Sequence, residues 1–166
     1  MSAIDTLGSS LKADYKAAAF LEACLLLDTA EKARNSANPG IAPKNNVSVT
    51  FSSEEGVAQI AIQLPAAPAA TGAGLVYVPT DYLGGAYAAF TAGGDVTATS
   101  AMAAVSQVAH ILSAAEKAVQ PVEDQPNNVQ IESSSETGFI NITATVPYTQ
   151  SIDADGNIKI VALDYV

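Results

Sequence analysis

Residues 45–65 read NNVSVTFSSEEGVAQIAIQLP, and residues 127–147 read NNVQIESSSETGFINITATVP. The two stretches align without a gap, and nine of their 21 positions are identical. Each contains two apolar runs separated by a Ser-Ser-Glu segment and a glycine, a pattern typical of two strands joined by a tight turn. The chain therefore contains the same predicted β-hairpin twice, and this repeat decides the fold prediction.

The repeat extends beyond the hairpin in both directions. Upstream, ACLLLDTAEKA at 23–33 matches VAHILSAAEKA at 108–118, with the block AEKA identical. Downstream, LVYVPTDYL at 75–83 matches IKIVALDYV at 158–166, with an Asp-Tyr pair in common. The register slips by three residues before the hairpin and by one after it. Loop lengths vary most easily in the Pro/Gly/Asn-rich segments where these slips fall.

These matches predict an α+β fold made by tandem duplication of an α-β-β-β unit of about 70 residues. The first copy is expected at 1–83 with a short lead-in, a Gly-rich joint at 84–96, and the second copy at 97–166. One such unit is too small to be stable alone. We therefore expect the copies to share one core about a pseudo-twofold axis, with antiparallel sheet and both helices packed on one face.

Periodicity and capping residues place the two helices. The first is predicted from Ser9 or Ser10 to Asn35 and the second from Thr97 or Thr99 to Val119. A Pro-Gly pair at 39–40 and a proline at 121 would stop them. The predicted buried residues are Phe20, Cys24 and Leu27 in the first helix and Met102, Val105, Val108, Ile111 or Leu112, and Ala115 in the second.

Three strands are predicted in the first copy, at 47–51, 57–64 and 75–79. Ile60, Ile62 and Leu64 would share one face of the second strand. Pro65 is expected to end the pairing because proline has no N–H to donate. In the second copy, the matching strand at 139–146 is predicted to stop before Pro147, and a last pair of extended segments is predicted on either side of DADGN. Residues 65–74, PAAPAATGAG, would then form a flexible loop.

The net charge of the chain indicates which classes of partner it can bind. The chain carries 17 Asp and Glu against 7 Lys and Arg, a formal net charge of −10. Such a surface repels nucleic acid and anionic membranes, so neither is expected as a partner. The N-terminus lacks the pattern of a signal peptide, and the most apolar run, 17–27, is too short to span a bilayer. We therefore expect cytoplasmic synthesis.

One segment resembles a cation-binding loop. Residues 153–164, DADGNIKIVALD, place Asp153, Asp155 and Asn157 at positions 1, 3 and 5 of an EF-hand loop, and Asp164 at position 12. Position 6 is Ile158 rather than glycine, and the flanking segments have strand patterns. A hairpin turn around Asp-Gly explains the same residues without a metal, and we predict no metal site and no cofactor.

Other candidate groups have structural explanations too. His110 is the lone histidine and aligns with Leu25, so we expect it to be partly buried or at an interface. Cys24 is the lone cysteine, which excludes an internal disulfide and predicts a buried thiol. Asp81 and Asp164 recur in the two copies, and they would titrate unusually if the axis brought them together.

Three further patterns repeat or contain glycine. The Ser-Ser-Glu segments at 52–54 and 134–136 suit turns, and a repeated contact surface there is the alternative. The glycines at 72–74, 84–85 and 93–94 match no phosphate-binding fingerprint. In the AEKA blocks, Lys32 and Lys117 would favour the helix dipole near the helix ends.

No catalytic pattern stands above these structural explanations, so the sequence favours a non-enzymatic structural or assembly protein. Within this class the expectation is a virion component such as a capsid decoration protein, with a tail or neck component next. It would self-associate or bind a larger protein lattice. The alternatives are a module that binds a small molecule or protein in the cleft between the copies, and an enzyme that uses Asp81 or Asp164.

Overall fold

The structure is a computed structural model that describes residues 16–166 apart from 53, 73, 81, 84–97, 99, 120–122, 124, 135–137 and 153. Its helices are α1 (Lys16–Ala37) and α2 (Ala101–Lys117). The strands are β1 (Val47–Ser52), β2 (Val57–Thr71), β3 (Gly74–Pro79), β4 (Val129–Ser134), β5 (Phe139–Ile152) and β6 (Ile158–Ala162). The α-β-β-β element order is therefore present twice among these residues, and the predicted joint at 84–96 lies outside them.

The six strands form one antiparallel sheet. Its central order is β1-β2-β5-β4, with β3 added to β2 and β6 added to β5. The middle pair, β2 and β5, runs in register from Val57 opposite Pro147 to Pro65 opposite Phe139. Ala61 lies opposite Thr143 in this ladder, and these two residues occupy the same position in the repeat.

The prediction that Pro65 and Pro147 end their strands is wrong. β2 continues to Thr71 and β5 to Ile152. On one side of β2, the partner changes from β1, whose register ends at Ile62, to β3, whose register begins at Ala66. Pro65 falls in this gap, so its missing N–H costs no ladder bond.

The residues that follow β3 and β6 donate hydrogen bonds to the two proline carbonyls. The carbonyl of Pro65 accepts a hydrogen bond from Thr80 N at 2.8 Å, and that of Pro147 accepts one from Leu163 N at 2.8 Å. The predicted loop at 65–74 is consequently wrong as well. Residues 66–71 are the part of β2 that pairs with β3 in the β2–β3 hairpin.

The core lies between the helices and one face of the sheet. The buried face of β2 includes Ile60, Ile62 and Leu64, as the alternation predicts. Helix α1 contributes Phe20, Cys24 and Leu27, also as predicted. Helix α2 contributes Met102, Val105, Val108 and Leu112, whereas Ile111 and Ala115 are only partly buried. These residues belong to one cluster, so both repeat units contribute to a single core.

The helix boundaries differ from the predictions by a few residues. The N-cap of α2 is Ser100, whose hydroxyl accepts a hydrogen bond from Ala103 N at 3.2 Å. The predicted caps Thr97 and Thr99 lie outside the described residues, as does the predicted start of the first helix. In the part of the chain that is described, neither helix has the length and apolar character needed to cross a membrane.

Candidate functional site

A buried carboxylate links three separate segments of the first repeat unit. Glu31, near the end of α1, is 3% exposed. Its Oε2 accepts hydrogen bonds from the backbone N–H of Asn46 at 2.9 Å and from the hydroxyl of Tyr82 at 2.7 Å. We call these three residues the first clasp. It ties the helix to the start of β1 and to the segment after β3.

The second repeat unit contains the same arrangement. Glu116 is 2% exposed and accepts hydrogen bonds from Asn128 N at 2.9 Å, Val129 N at 3.1 Å and Tyr165 Oη at 2.8 Å. These four residues form the second clasp. The glutamate comes from the AEKA block, the amides from the NNV block and the tyrosine from the Asp-Tyr pair. All three blocks of the repeat therefore meet at one point in each half.

The clasp tyrosines are held in their neutral form. Burial is the main cause that raises the pKa of Tyr82 well above its usual value, followed by its hydrogen bond to Glu31 and the negative charge of that residue. Burial and the Glu116 carboxylate raise the pKa of Tyr165 in the same way. A phenol with a raised pKa is a poor acid at neutral pH, so this geometry favours a structural role.

Sequence reasoning missed both glutamates. It explained the AEKA blocks by their lysines at helix ends. Helix α1 continues to Ala37 with Arg34 in its last turn, and Lys32 instead forms an exposed ion pair with Asp28 at 2.9 Å. Only Lys117 lies in the last turn of its helix. The available signal was the co-occurrence of glutamate, asparagine and tyrosine in the same order in both copies.

The face of the sheet opposite the helices is open and almost uncharged. Around β2 and β5 it presents Gln59, Ala61, Gln63, Thr143 and Thr145 as exposed residues. Glu132 of β4 also falls on this face, because it pairs with Asn141. We call this surface the open face.

Two shallow depressions of about 370 and 380 Å³ lie on the open face. One is lined by residues that include Gln59, Asn128 and Thr145, and the other by residues that include Asn46 and Gln63. Both reach Ala61 and Thr143 at the β2–β5 junction. Neither is lined by a clasp glutamate or tyrosine.

The segment that resembles an EF-hand loop is a hairpin turn between β5 and β6, as the Asp-Gly pattern predicts. Asp155 and Asn157 are exposed, Gly156 has a φ of +82°, and Asp153 lies outside the described residues. Among the described residues, no group of three His, Cys, Asp or Glu side chains is placed to hold a metal ion.

Of the remaining candidates, Cys24 and His110 lie on the helices and Asp164 follows β6. Cys24 is buried, as predicted, and burial raises the pKa of its thiol. His110 is exposed on α2 whereas Leu25 is partly buried, so the expectation that His110 is partly buried is wrong, and its place at an interface stays a prediction. Partial desolvation and the nearby Lys117 lower the pKa of His110. Asp164 is exposed after β6, and Asp81 lies outside the described residues, as do Ser53, Ser135 and Glu136 of the Ser-Ser-Glu segments.

No protein-family model, no curated protein and no solved structure matches this chain. Function must therefore be argued from the residues and their geometry.

Proposed function

We propose that this chain is a non-enzymatic structural protein whose task is assembly. The observation that carries the proposal is the use of the repeated polar residues. Glu31 and Glu116 are buried and accept hydrogen bonds from backbone amides and tyrosines of their own repeat unit. The residues that the repeat retains thus serve to hold its own segments together.

We further propose that the chain is a tandem duplication, with its halves related by a local twofold axis between β2 and β5. Three observations support this. Ala61 lies opposite Thr143; Ala66 N donates to Gly138 O and Tyr148 N donates to Gly56 O, both at 2.9 Å; and the two clasps use the same residue types.

Within the assembly class, the proposal is a virion component such as a capsid decoration protein. A duplicated unit presents similar surfaces twice, which suits quasi-equivalent positions in a lattice. The net charge of −10 favours contact with protein rather than with packaged nucleic acid.

Immunogold electron microscopy of virus particles from the source genome tests this proposal. An antiserum against the recombinant chain should label the capsid surface at regular positions, and a tail location would give label at one vertex. Particles that carry the chain's gene but bind no antibody at any site would contradict a virion role.

The second candidate is a binding module, favoured by the two depressions at the β2–β5 junction. Their amide and hydroxyl side chains would suit a neutral polar ligand. A panel of metabolites should then contain a compound that raises the melting temperature. The rise should disappear in Ala61→Arg, which fills the junction, and persist in Thr80→Arg, an exposed residue elsewhere. No shift with any compound would argue against this candidate.

A further inference from the structure

The part of the β2–β3 hairpin that extends beyond the central sheet contains no charged side chain. Residues 65–79, which we call the neutral arm, read PAAPAATGAGLVYVP and contain no Asp, Glu, Lys or Arg, in a chain that has 24 such residues (17 + 7). The corresponding β5–β6 segment contains Asp153, Asp155 and Lys159. The two arms of the repeat have therefore diverged in charge.

The neutral arm also exposes neighbouring apolar side chains. Val76 is 41% exposed and Val78 is 49% exposed. In the β2–β3 register they lie opposite Ala69 and Ala67, so all four residues share one face of the arm. A cluster of this kind at the end of a sheet is typical of a contact surface.

The outer edge of β3 is not paired with any strand of the described part of the chain. Thr80 N donates to Pro65 O, and alternation along the strand then directs the main-chain groups of Leu75 and Tyr77 away from β2. Edge strands are usually protected by charge or proline. β6 has Lys159 at the position of Val76, whereas β3 has only Pro79, at its end.

We propose that the β3 edge pairs with the β3 edge of a second copy of this chain, in antiparallel orientation about a twofold axis. The pairing would satisfy the outward groups of Leu75 and Tyr77 and cover Val76 and Val78. It specifies the contact by which the proposed assembly function begins, and it rests on that function.

The distribution of charge favours a second copy of this chain as the partner that binds the β3 edge. A basic partner would gain most from the acidic surfaces of this chain and nothing from an uncharged arm. Two copies that each carry −10 repel one another at acidic surfaces. The neutral arm permits close approach without like-charge contact. A twofold pairing of identical edges also closes the assembly at a dimer and so avoids open-ended growth.

The test is the mass of the intact chain in solution, by light scattering coupled to size-exclusion chromatography at two concentrations about tenfold apart. Wild type should be a dimer that dissociates on dilution. The double variant Val76→Lys/Val78→Lys should raise the dimer Kd by about tenfold or more, because it places four positive charges across the pairing. Both residues are exposed, so the fold should survive, as circular dichroism can verify.

Ile152→Lys is the control. Ile152 is 75% exposed and lies at the end of β5, in the β5–β6 hairpin. The substitution should leave the mass unchanged. Added salt should strengthen the wild-type dimer by screening repulsion between the copies. A dimer that weakens with salt would indicate interfacial ion pairs and overturn the neutral-arm contact.

Cross-linking provides a second readout. Val78→Cys should give a covalent dimer with a short bismaleimide, and Ile152→Cys should not, while Cys24 is buried and should remain silent. A multimer that is unaffected by the double lysine variant would overturn the arm contact and leave assembly intact. A monomer at both concentrations would overturn self-pairing, while capsid labelling would decide the virion proposal separately.

Discussion

Glu31 and Glu116 illustrate how a buried charge can organise a small fold. Each carboxylate is nearly inaccessible, and burial of a charge without partners would be strongly unfavourable. One backbone amide and a tyrosine supply those partners in the first clasp, and two amides and a tyrosine supply them in the second. The free energy of these hydrogen bonds depends on keeping every partner in place, because a single deletion leaves a buried group less satisfied.

Removal of one clasp hydroxyl should therefore lower stability. Tyr165→Phe deletes the donor at 2.8 Å from Glu116 and should reduce the free energy of unfolding by about 1–3 kcal/mol. Urea denaturation measures this. Tyr77→Phe is the control, since its partly buried ring has no role in either clasp. Equal losses in the two variants would mean that the clasp bond contributes nothing of its own.

The raised pKa values of Tyr82 and Tyr165 predict alkaline sensitivity. In the unfolded chain these phenols release their protons near their usual pKa of about 10, whereas in the folded chain they keep them. Above that pH the native state binds more protons than the unfolded state, so the stability that the clasps contribute below pH 10 is lost as pH rises. The melting temperature should fall between pH 9.5 and about 11.

The double variant Tyr82→Phe/Tyr165→Phe provides the control for this pH dependence. It should be less stable at neutral pH and show a shallower decline over the same alkaline interval. An equally steep decline in the double variant would assign the alkaline sensitivity to other groups.

At the level of elements, the turns of the β1–β2 and β4–β5 hairpins depend on glycine. Gly56 has a φ of +67° and Gly138 a φ of +71°, values that residues with a Cβ adopt only at a cost. Their carbonyls accept hydrogen bonds from β5 and β2, so the turns also lie in the central pairing. The conformation, rather than lack of space, makes glycine necessary here.

Substitution of Gly138 should show whether glycine is needed for its positive φ or for lack of space around a Cβ. Gly138→Ala meets no atom within 4 Å, so any loss of stability reports φ alone and should be about 1–2 kcal/mol. Gly40→Ala is the matched control, since its Cβ also meets nothing and its φ is not in the left-handed region. Chemical denaturation of both variants makes the comparison, and a loss at Gly138 no larger than at Gly40 would contradict the argument.

The strands also show where local patterns mislead. Strand ends are predicted at residues 65 and 147 because proline has no N–H to donate to a neighbouring strand. In the sheet, each proline lies at a point where one neighbouring strand stops and another starts. The missing donor matters only if a partner is present, and the presence of a partner is decided by distant parts of the chain.

On the scale of the whole molecule, the two halves share a strand ladder and a core. The β2–β5 ladder joins nine pairs of residues, and residues of both helices share one core cluster. Each half alone would expose its side of this ladder and much of the core. We therefore expect the halves to fold as one cooperative unit.

Fragments test this interdependence. Residues 1–83 and 97–166, expressed separately, should each lack a cooperative thermal transition by circular dichroism. Mixed at equal concentration, they should regain strand signal and a transition whose midpoint rises with concentration. A cooperative transition in either fragment alone would show that one half is an independent domain.

The sequence by itself determined the repeat, the secondary-structure order and most of the core faces. These features depend on neighbouring residues: alternation places Ile60, Ile62 and Leu64 on one face, and helical spacing does the same for Phe20 and Cys24. Such patterns survive in any tertiary context that buries the apolar face.

Tertiary structure decided the role of the polar residues and the limits of the strands. Glu31 finds its amide partner 15 residues away and its tyrosine 51 residues away, and no local pattern encodes those separations. Pro65 and Pro147 are tolerated inside long strands because each lies where one neighbouring strand stops and the next begins. The exposed surfaces of the described residues, the open face and the neutral arm, were likewise fixed by which strands are paired and which are not.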